Sequence, residues 1–290
     1  MKWTVTGAAG MLGQDLVAAL TARGDEVTAL DVAELDILDG SAVMEALGTP
    51  GRADVVVNCA AWTQVDSAEE KEGLAFRLNA VGPQNLAAAC QSSGARFVHI
   101  STDYVFPGNG VEPYGENDPL DPLGAYGRTK AAGEWAVRAS GADYLIVRTA
   151  WLYGEHGTPF PKVMARLLTE RGQVDVVTDQ VGQPTWTKDL AALIITLIDA
   201  QAPSGTYHGT SSGMGSWFDF TQEIAASMGI DSAAVGKTTS EAFVRPAPRP
   251  SYSVLTHDAL RSIGIEPIGD WRERWQEAAP AILADFIAQD

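Results

Sequence analysis

The 290-residue chain has 20 Lys and Arg against 37 Asp and Glu, a formal net charge of −17 at pH 7. This acidic balance argues against nucleic acid or an anionic membrane surface as a partner. Hydrophobic residues form 46% and charged residues 20% of the chain, as in a globular protein with an ample buried core. The N-terminus MKWTVTGAAG predicts a strand and no signal peptide, and the longest apolar run, LAALIITLI, is too short to span a bilayer. We therefore expect a cytoplasmic protein.

Short β-branched runs alternate with helix-like segments through the first half of the chain. The runs predict strands at 3–6, 26–31, 54–58, 96–101 and 144–149, and helices are predicted at 11–23, 41–47, 73–92 and 129–140. Continuous apolar strands separated by helices are typical of a parallel sheet covered on both faces. We expect a strand at 174–178 and a helix at 188–198 to complete this sheet.

A glycine-rich turn, VTGAAGMLGQDL, joins the first predicted strand to the first predicted helix. Gly7, Gly10 and Gly13 let the backbone approach a pyrophosphate, whose charge is favoured at a helix N-terminus. Asp31 follows at the end of the second strand, where a carboxylate binds the ribose hydroxyls of a dinucleotide. Because Asp31 would repel a 2′-phosphate and no arginine directly follows it, we expect NADH rather than NADPH as the cofactor.

Tyr126 and Lys130 stand four residues apart, and therefore on one face of a helix. A free tyrosine is a poor proton donor at neutral pH because its pKa lies near ~10. We expect the Lys130 ammonium group to lower the pKa of Tyr126, and Thr102 to supply a second hydroxyl from the end of the fourth strand. Around a carbonyl, these groups would let a hydride reach carbon while a proton reaches oxygen. Y-x-x-x-K also occurs by chance on many helices.

After residue 202 the sequence changes to small residues followed by amphipathic segments. This part predicts a smaller lobe over the carboxyl edge of the sheet, where open α/β sheets bind their ligands. We therefore predict a dinucleotide-binding domain at 1–150, completed by 174–202, and a substrate-binding lobe formed by 151–173 and 203–290. Trp217, Trp271 and Trp275 are expected to pack inside this lobe.

Eight motifs extend over nearly the whole chain: GAAGMLGQDL, VVNCAAWTQVDSAE, LNAVGPQNLA, STDYVFPG, AYGRTKAAGE, VRTAWLYG, DQVGQPTWTKDLA and RPAPRPSYSVL. Together they resemble the extended short-chain dehydrogenase/reductase superfamily and, within it, the dTDP-4-dehydrorhamnose reductase family. STDYVF and RTAWLYG are the specific motifs, since related sugar-nucleotide epimerases and dehydratases usually carry other residues there. The resemblance implies a Rossmann-type, doubly wound parallel sheet. It also implies NADH- or NADPH-dependent reduction of the C4 ketone of dTDP-6-deoxy-L-lyxo-4-hexulose, which forms dTDP-L-rhamnose in dTDP-rhamnose biosynthesis.

The resemblance also implies roles for individual residues. Tyr126 corresponds to the general acid, Lys130 to the lysine that holds the cofactor ribose, and Thr102 to the residue that orients the ketone. The substrate-binding positions are Thr102, Asp103 and Trp151. The cofactor-binding positions are Gly7, Gly10, Met11, Leu12, Gly13, Asp31, Asp36, Ile37, Ala60, Ala61, Trp62, Thr63, Ile100, Tyr126 and Lys130.

Some members of that family bind a magnesium ion at a dimer contact through acidic residues. Asp15 and Asp189 correspond to such positions, whereas Lys188 places a cation where a carboxylate is needed. Because an ammonium group opposes a metal ion electrostatically, we predict no metal site. A homodimer is also expected, from apolar residues on a face resembling that of the family.

Other functions remain open at this stage. GTSSG at 209–213 fits G-x-S-x-G, with Ser211 as a nucleophile and His257 as a base, although a loop follows where a nucleophile elbow requires a helix. A reductase of another 4-keto deoxysugar nucleotide is a closer alternative. A regulatory subunit that binds the dinucleotide without turnover is a further one, which the presence of both Tyr126 and Lys130 disfavours.

Overall fold

The computed structural model describes residues 1–286. Its strands are β1 (Lys2–Thr6), β2 (Glu26–Leu30), β3 (Val55–Asn58), β4 (Arg96–Thr102), β5 (Tyr144–Thr149), β6 (Leu152–Tyr153), β7 (Val174–Val177), β8 (Val181–Gly182), β9 (Thr185–Trp186), β10 (Gly205–His208), β11 (Ser211–Ser212), β12 (Gly215–Ser216), β13 (Val235–Thr238) and β14 (Ile268–Asp270). Its α-helices are α1 (Met11–Ala22), α2 (Gly40–Leu47), α3 (Val65–Glu70), α4 (Glu72–Phe76), α5 (Gly82–Ser93), α6 (Ala125–Ala139), α7 (Phe160–Arg171), α8 (Thr187–Asp199), α9 (Trp217–Ser227), α10 (Asp258–Ser262) and α11 (Trp271–Ile282). Within residues 1–286, none of these helices has the length and apolar character needed to cross a membrane.

The centre of the molecule is a six-stranded sheet with the order β2-β1-β3-β4-β5-β10. Every pairing in it is parallel. The chain adds β2 on one side of β1 and then returns to add β3 on the other, which makes a topological switch point beside β1. Open sheets of this kind bind ligands in the crevice at such a point. The predicted doubly wound parallel sheet is confirmed.

Helices cover both faces of this sheet, which explains why its inner strands, such as β3 and β5, are largely apolar and buried. On one face α1 and α8 pack against it, with Leu16, Leu20 and Ile194 in the buried cluster. On the other face α2 and α5 contribute Val43 and Leu86 to a second cluster. The edge strand β2 is the more exposed one, and polar side chains become accessible at the carboxyl edge of the sheet.

The predicted strand at 174–178 forms, but the prediction that it completes the main sheet is wrong. β7 pairs with β13 in a separate two-stranded sheet, and β10 lies beside β5 instead. A β-branched run such as VDVV predicts a strand but carries no information about its partner. β10, with the sequence GTYH, is too short and polar to stand out in the sequence. The helix predicted at 188–198 corresponds to α8 and does cover the sheet.

A separate aromatic cluster lies outside the sheet and contains Tyr153, Trp186, Phe220, Trp271 and Trp275. The Phe220 ring packs edge-on against Trp275 and Trp271, with centroids 5.2 and 5.7 Å apart. α9, which carries Phe220, begins with a reciprocal capping box between Ser216 and Asp219. This cap fixes the start of the helix, and with it the position of the first helical residue, Trp217.

Candidate active site

One cavity of about 800 Å³ opens at the carboxyl edge of the main sheet. Its wall is formed by the ends of β1 to β5, the starts of α1 and α6, and Trp217 of α9. Almost all predicted site residues line it: Gly7, Gly10, Met11, Leu12, Gly13, Asp31, Asp36, Ile37, Ala60, Ala61, Thr63, Ile100, Thr102, Asp103, Tyr126, Lys130 and Trp151. They meet there because the carboxyl ends of parallel strands share one edge.

Trp62 is the one predicted site residue that does not line this cavity. Its backbone N–H donates to Asn79 Oδ1 at 2.8 Å, and Asn79 Nδ2 donates to its carbonyl at 3.1 Å. Its indole N–H donates to the Gln64 carbonyl at 3.1 Å. Asn79 itself lies in a π-helical turn, 77–81, that links α4 to α5. Trp62 thus lies outside the cavity wall between Ala61 and Thr63, which do line it, and its role in cofactor binding stays a prediction.

The glycine turn is built to bring the start of α1 close to β3. Gly7 has a φ of +67°, and a Cβ atom there would lie 2.5 Å from the Ala60 nitrogen. A Cβ atom on Gly13 would lie 2.3 Å from the Gly7 carbonyl oxygen. Gly10 is the N-cap of α1 and no side chain caps the helix, so its first N–H groups can bind an anion at the cavity. These features fit the pyrophosphate of a dinucleotide.

Asp31 stands at the end of β2, on the wall of the same cavity. Its carboxylate accepts the backbone N–H groups of Ala9 at 3.1 Å and Val32 at 2.8 Å. These two hydrogen bonds orient the carboxylate and leave oxygen lone pairs that can accept ribose hydroxyls. A phosphate bound at this point would meet a negative charge.

Tyr126 and Lys130 both belong to α6, which begins at Ala125, four residues before the predicted start. Lys130 Nζ donates to the Ile100 carbonyl at 2.6 Å. Burial lowers the pKa of Lys130 to about 8, although Glu134 opposes this shift. The ammonium group is therefore held against β4 inside the cavity, where it can contact a cofactor ribose.

The prediction that Lys130 lowers the pKa of Tyr126 is wrong for this arrangement. Burial raises the pKa of the Tyr126 phenol above its ordinary value, the Thr102 hydroxyl opposes the shift, and Asp103 adds to it. Loss of water outweighs any attraction to the lysine, whose ammonium group already binds the Ile100 carbonyl. The Tyr126 phenol therefore stays protonated at neutral pH, and in the ligand-free chain it is a weaker acid than a free tyrosine.

Asp103 places a buried carboxyl group beside these hydroxyls. Its Oδ1 accepts the Thr102 hydroxyl at 2.9 Å, while its Oδ2 is buried without a hydrogen-bond partner. Burial raises the pKa of Asp103 to about 6, with Ser253 and Thr102 opposing the shift. The Asp103 carboxyl therefore holds the Thr102 hydroxyl in place at the cavity wall.

The stacked indole rings of Trp151 and Trp217 form a further part of the cavity wall. Trp151 follows β5 with a φ of +47°, a conformation that costs a non-glycine residue roughly 1–3 kcal/mol. Its ring lies on Trp217, with centroids 3.6 Å apart and planes 5° apart. Trp217 was expected only to pack within the C-terminal part. Since it follows Trp151 by 66 positions, no local sequence pattern could place it in this wall.

The hydrolase arrangement suggested by GTSSG is not formed. The Ser211 hydroxyl is buried without a hydrogen-bond partner. His257 Nε2 contacts Thr210 instead, at 2.9 Å from its hydroxyl and 3.0 Å from its carbonyl. Burial lowers the pKa of His257 to about 4. A serine that has no base beside it is not activated as a nucleophile.

The acidic residues considered for a metal have protein partners. Asp15 accepts the Thr187 hydroxyl at 2.5 Å, and Asp189 accepts two hydrogen bonds from Arg274, each at 2.8 Å. Lys188 forms an ion pair with Glu155. In the described part of the chain, no three His, Cys, Asp or Glu residues are grouped so that they could hold a metal ion. The absence of a metal site stays a prediction.

Comparison with known proteins gives the same picture as the geometry. Residues 1–283 match the family described as RmlD substrate binding domain. A dTDP-4-dehydrorhamnose reductase from Streptomyces griseus is 48% identical over 286 residues, covering 97% of this chain and 94% of that protein. A dTDP-4-keto-6-deoxy-D-glucose reductase from Streptomyces niveus is 46% identical over 285 residues, covering 98% of each.

A crystal structure of a dTDP-4-dehydrorhamnose reductase from Bacillus anthracis in complex with NADP has the same fold. Its TM-score to this chain is 0.91 at 38% identity, with 96% of this chain and 98% of that chain covered. The chain therefore belongs to the RmlD substrate binding domain family, whose members include dTDP-4-dehydrorhamnose reductases.

Proposed function

We propose that the chain is an NAD(P)H-dependent reductase that converts the C4 ketone of dTDP-4-dehydro-L-rhamnose into the hydroxyl group of dTDP-L-rhamnose. The observation that carries this proposal is the convergence of Tyr126, Thr102 and Lys130 with the glycine turn and Asp31 in one cavity. Relatives named for this activity, and the NADP complex of one of them, support it. The presence of both Tyr126 and Lys130 in that cavity favours catalysis over a purely regulatory role.

In this reaction the nicotinamide cofactor supplies the hydride. The N-terminus of α1 binds the pyrophosphate, Asp31 accepts the hydroxyls of one ribose, and Lys130 binds the other ribose. Tyr126 donates its proton to the ketone oxygen. The Thr102 hydroxyl, which donates to Asp103 Oδ1 at 2.9 Å in the ligand-free chain, turns to the ketone oxygen to position it. The chain's own contribution is therefore orientation and a correctly protonated acid.

The proposal is tested by incubating the purified chain with dTDP-4-dehydro-L-rhamnose and either NADH or NADPH. We expect the nicotinamide absorbance to fall in step with the formation of dTDP-L-rhamnose. Deuterated cofactor should leave one deuterium on C4 of the sugar. Cofactor binding without turnover of any 4-keto sugar nucleotide would instead assign the chain a regulatory role.

A second candidate substrate is dTDP-4-keto-6-deoxy-D-glucose, because a relative named for its reduction is 46% identical to this chain. Both sugars present a C4 ketone to the same acid, so they differ only in how the ring fits the wall around Trp151. We expect kcat/KM to be higher for the L-sugar in a direct comparison. The opposite order would move the assignment to the D-sugar and leave the catalytic residues unchanged.

Replacing Asp31 by alanine is expected to weaken the binding of NADH more than that of NADPH. Loss of a hydrogen bond to a charged group costs about 1.5–3 kcal/mol, or roughly 10–100-fold in the dissociation constant. For NADPH, removal of the repulsion between Asp31 and the 2′-phosphate offsets this loss. Titrating each cofactor into the wild type and Asp31→Ala by fluorescence measures both effects, and equal weakening would show that Asp31 does not bind this ribose.

The remaining assignments are part of the same proposal. Residues 1–150 and α8 form the dinucleotide-binding domain, with β10 as the sixth strand of its sheet, and most of 151–173 and 203–286 forms the substrate-binding part. We also propose a cytoplasmic location and a homodimer. Leu74 and Phe76 on α4 and Trp135 on α6 are large, exposed apolar side chains on two contacting helices, which suits an interface.

A further inference from the structure

We propose that Trp217 is a substrate-binding residue, and that the Trp151–Trp217 stack separates to admit the hexose ring of the sugar nucleotide. The inference rests on the proposed function. It adds a substrate-binding residue, Trp217, that lies outside the family motifs, and a movement of its side chain. Both indoles line the cavity that holds Tyr126.

The stack as it stands leaves no room for a ligand between its rings. A centroid distance of 3.6 Å with nearly parallel planes is direct van der Waals contact over the full faces. Aromatic pairs prefer offset or edge-to-face packing at larger centroid distances, so a full overlap is an unfavourable arrangement for the two ring systems. The left-handed backbone of Trp151 adds strain at the same place. A ligand that separates the rings therefore replaces a poor contact with two good ones.

The position of the stack identifies the part of the ligand that it contacts. Thr149 of β5 is directly paired with Thr102 of β4, and Trp151 follows two residues later. The stack is therefore close to the point where the ketone is reduced. In the sugar nucleotide, the diphosphate separates the base from the hexose and so from that point. Cationic side chains would be expected where the diphosphate binds, and Lys130 is the only one in the described cavity wall. Two uncharged rings meet at the reacting carbon, the hexose and the reduced nicotinamide. Trp217 belongs to α9, in the part of the chain assigned to the substrate, so the ring that enters the stack is the hexose.

Packing around the two indoles shows which one moves. Trp151 lies against Gly182, where even a Cβ atom would be 2.6 Å from the indole, so this ring has no space to retreat. On its far side Trp217 contacts Phe160, with centroids 4.3 Å apart at a tilt of 46°. We therefore expect Trp217 to swing away while Trp151 stays in place.

The stack has a spectroscopic signature that is independent of turnover. Two indoles in face-to-face contact couple their excited states and give a paired positive and negative band in circular dichroism. Among residues 1–286, Trp151 and Trp217 are the one stacked pair of indoles. The paired band should be present in the wild type and absent from Trp217→Phe and Trp151→Phe. Trp135→Phe, which removes an exposed indole on α6, is the matched control and should keep it.

Ligands then test the proposal, with binding followed independently by calorimetry. dTDP-L-rhamnose should abolish the paired band, whereas dTDP, which has the base and diphosphate but no hexose, should bind and leave it intact. Trp217→Ala should raise KM for the sugar nucleotide about ten-fold, the value of one aromatic contact, with little change in KM for NADH. A paired band that survives bound dTDP-L-rhamnose, or disappears with dTDP alone, overturns the inference. Failure of dTDP-L-rhamnose to bind at all would instead overturn the proposed function, and the inference with it.

Discussion

Replacing Tyr126 by phenylalanine is expected to reduce kcat by roughly 10²–10⁴-fold, the usual contribution of a positioned general acid. The variant keeps the aromatic ring and loses only the phenolic hydroxyl group. Because burial raises the pKa of Tyr126, the phenolic proton is present throughout the neutral range in the wild type. The dissociation constant of NADH should remain nearly the same, so the loss belongs to the chemical step. Single-turnover kinetics with saturating cofactor measures it directly.

Tyr104→Phe is the matched control for this variant, because it removes a second phenolic hydroxyl group from the same cavity. Tyr104 lines the same cavity, its ring lies edge-on to Tyr126 with centroids 5.7 Å apart, and burial also raises its pKa. Tyr104→Phe should cost much less than Tyr126→Phe, since Tyr126 is the phenol that interacts with Thr102. A large loss in Tyr104→Phe beside a small loss in Tyr126→Phe would transfer the role of proton donor to Tyr104.

Replacing Asp103 by asparagine is expected to stabilise the ligand-free protein at pH 8, although the residue is part of the site. Burial raises the pKa of Asp103 to about 6, from 3.8 for a free carboxyl. Below about pH 3 both the folded and the unfolded chain carry the proton, so the carboxyl costs no stability. As pH rises towards 6, the unfolded chain releases its proton first and stability falls. Above pH 6 the penalty is complete, at about 3 kcal/mol.

Denaturant unfolding of the wild type and Asp103→Asn across this pH range measures the effect. The difference in the free energy of unfolding should be near zero at about pH 3 and should grow to its full value by about pH 8. Asp121→Asn, at an exposed position on the loop between β4 and α6, is the matched control and should show no such growth. A difference of the same size at about pH 3 and about pH 8 would show that the Asp103 carboxyl is not desolvated in the folded chain.

Predictions from the sequence are most accurate for functional residues that lie within one short segment of the chain. The strand, glycine turn and helix at the N-terminus place Gly7, Gly10 and Gly13 within one short segment, and their backbone requirements are local. Likewise, the spacing of Tyr126 and Lys130 places both on one face of α6 wherever that helix starts. A parallel sheet then brings these segments to one edge, because all of its strands point the same way.

The pairing of β7 and the position of Trp62 outside the cavity wall have a common cause. A β-branched run pairs with whichever strand the rest of the chain brings beside it. In this chain β7 pairs with β13, and β5 pairs with β10 instead. Trp62 follows β3, where a cofactor-binding residue is expected. Its backbone N–H, however, donates to Asn79, which lies in a π-helical turn that the sequence does not reveal. In both cases a partner distant in sequence decides the outcome.

The sequence by itself therefore determined the parallel sheet, the dinucleotide turn and the Tyr126–Lys130 pair, since each depends on residues only a few positions apart. Only the tertiary structure decided that burial rather than Lys130 controls the pKa of Tyr126, and that Trp217 joins Trp151 in the cavity wall. Desolvation and ring stacking depend on which surfaces exclude water from each other. Those surfaces come from segments far apart in the chain, and they exist only once it is folded.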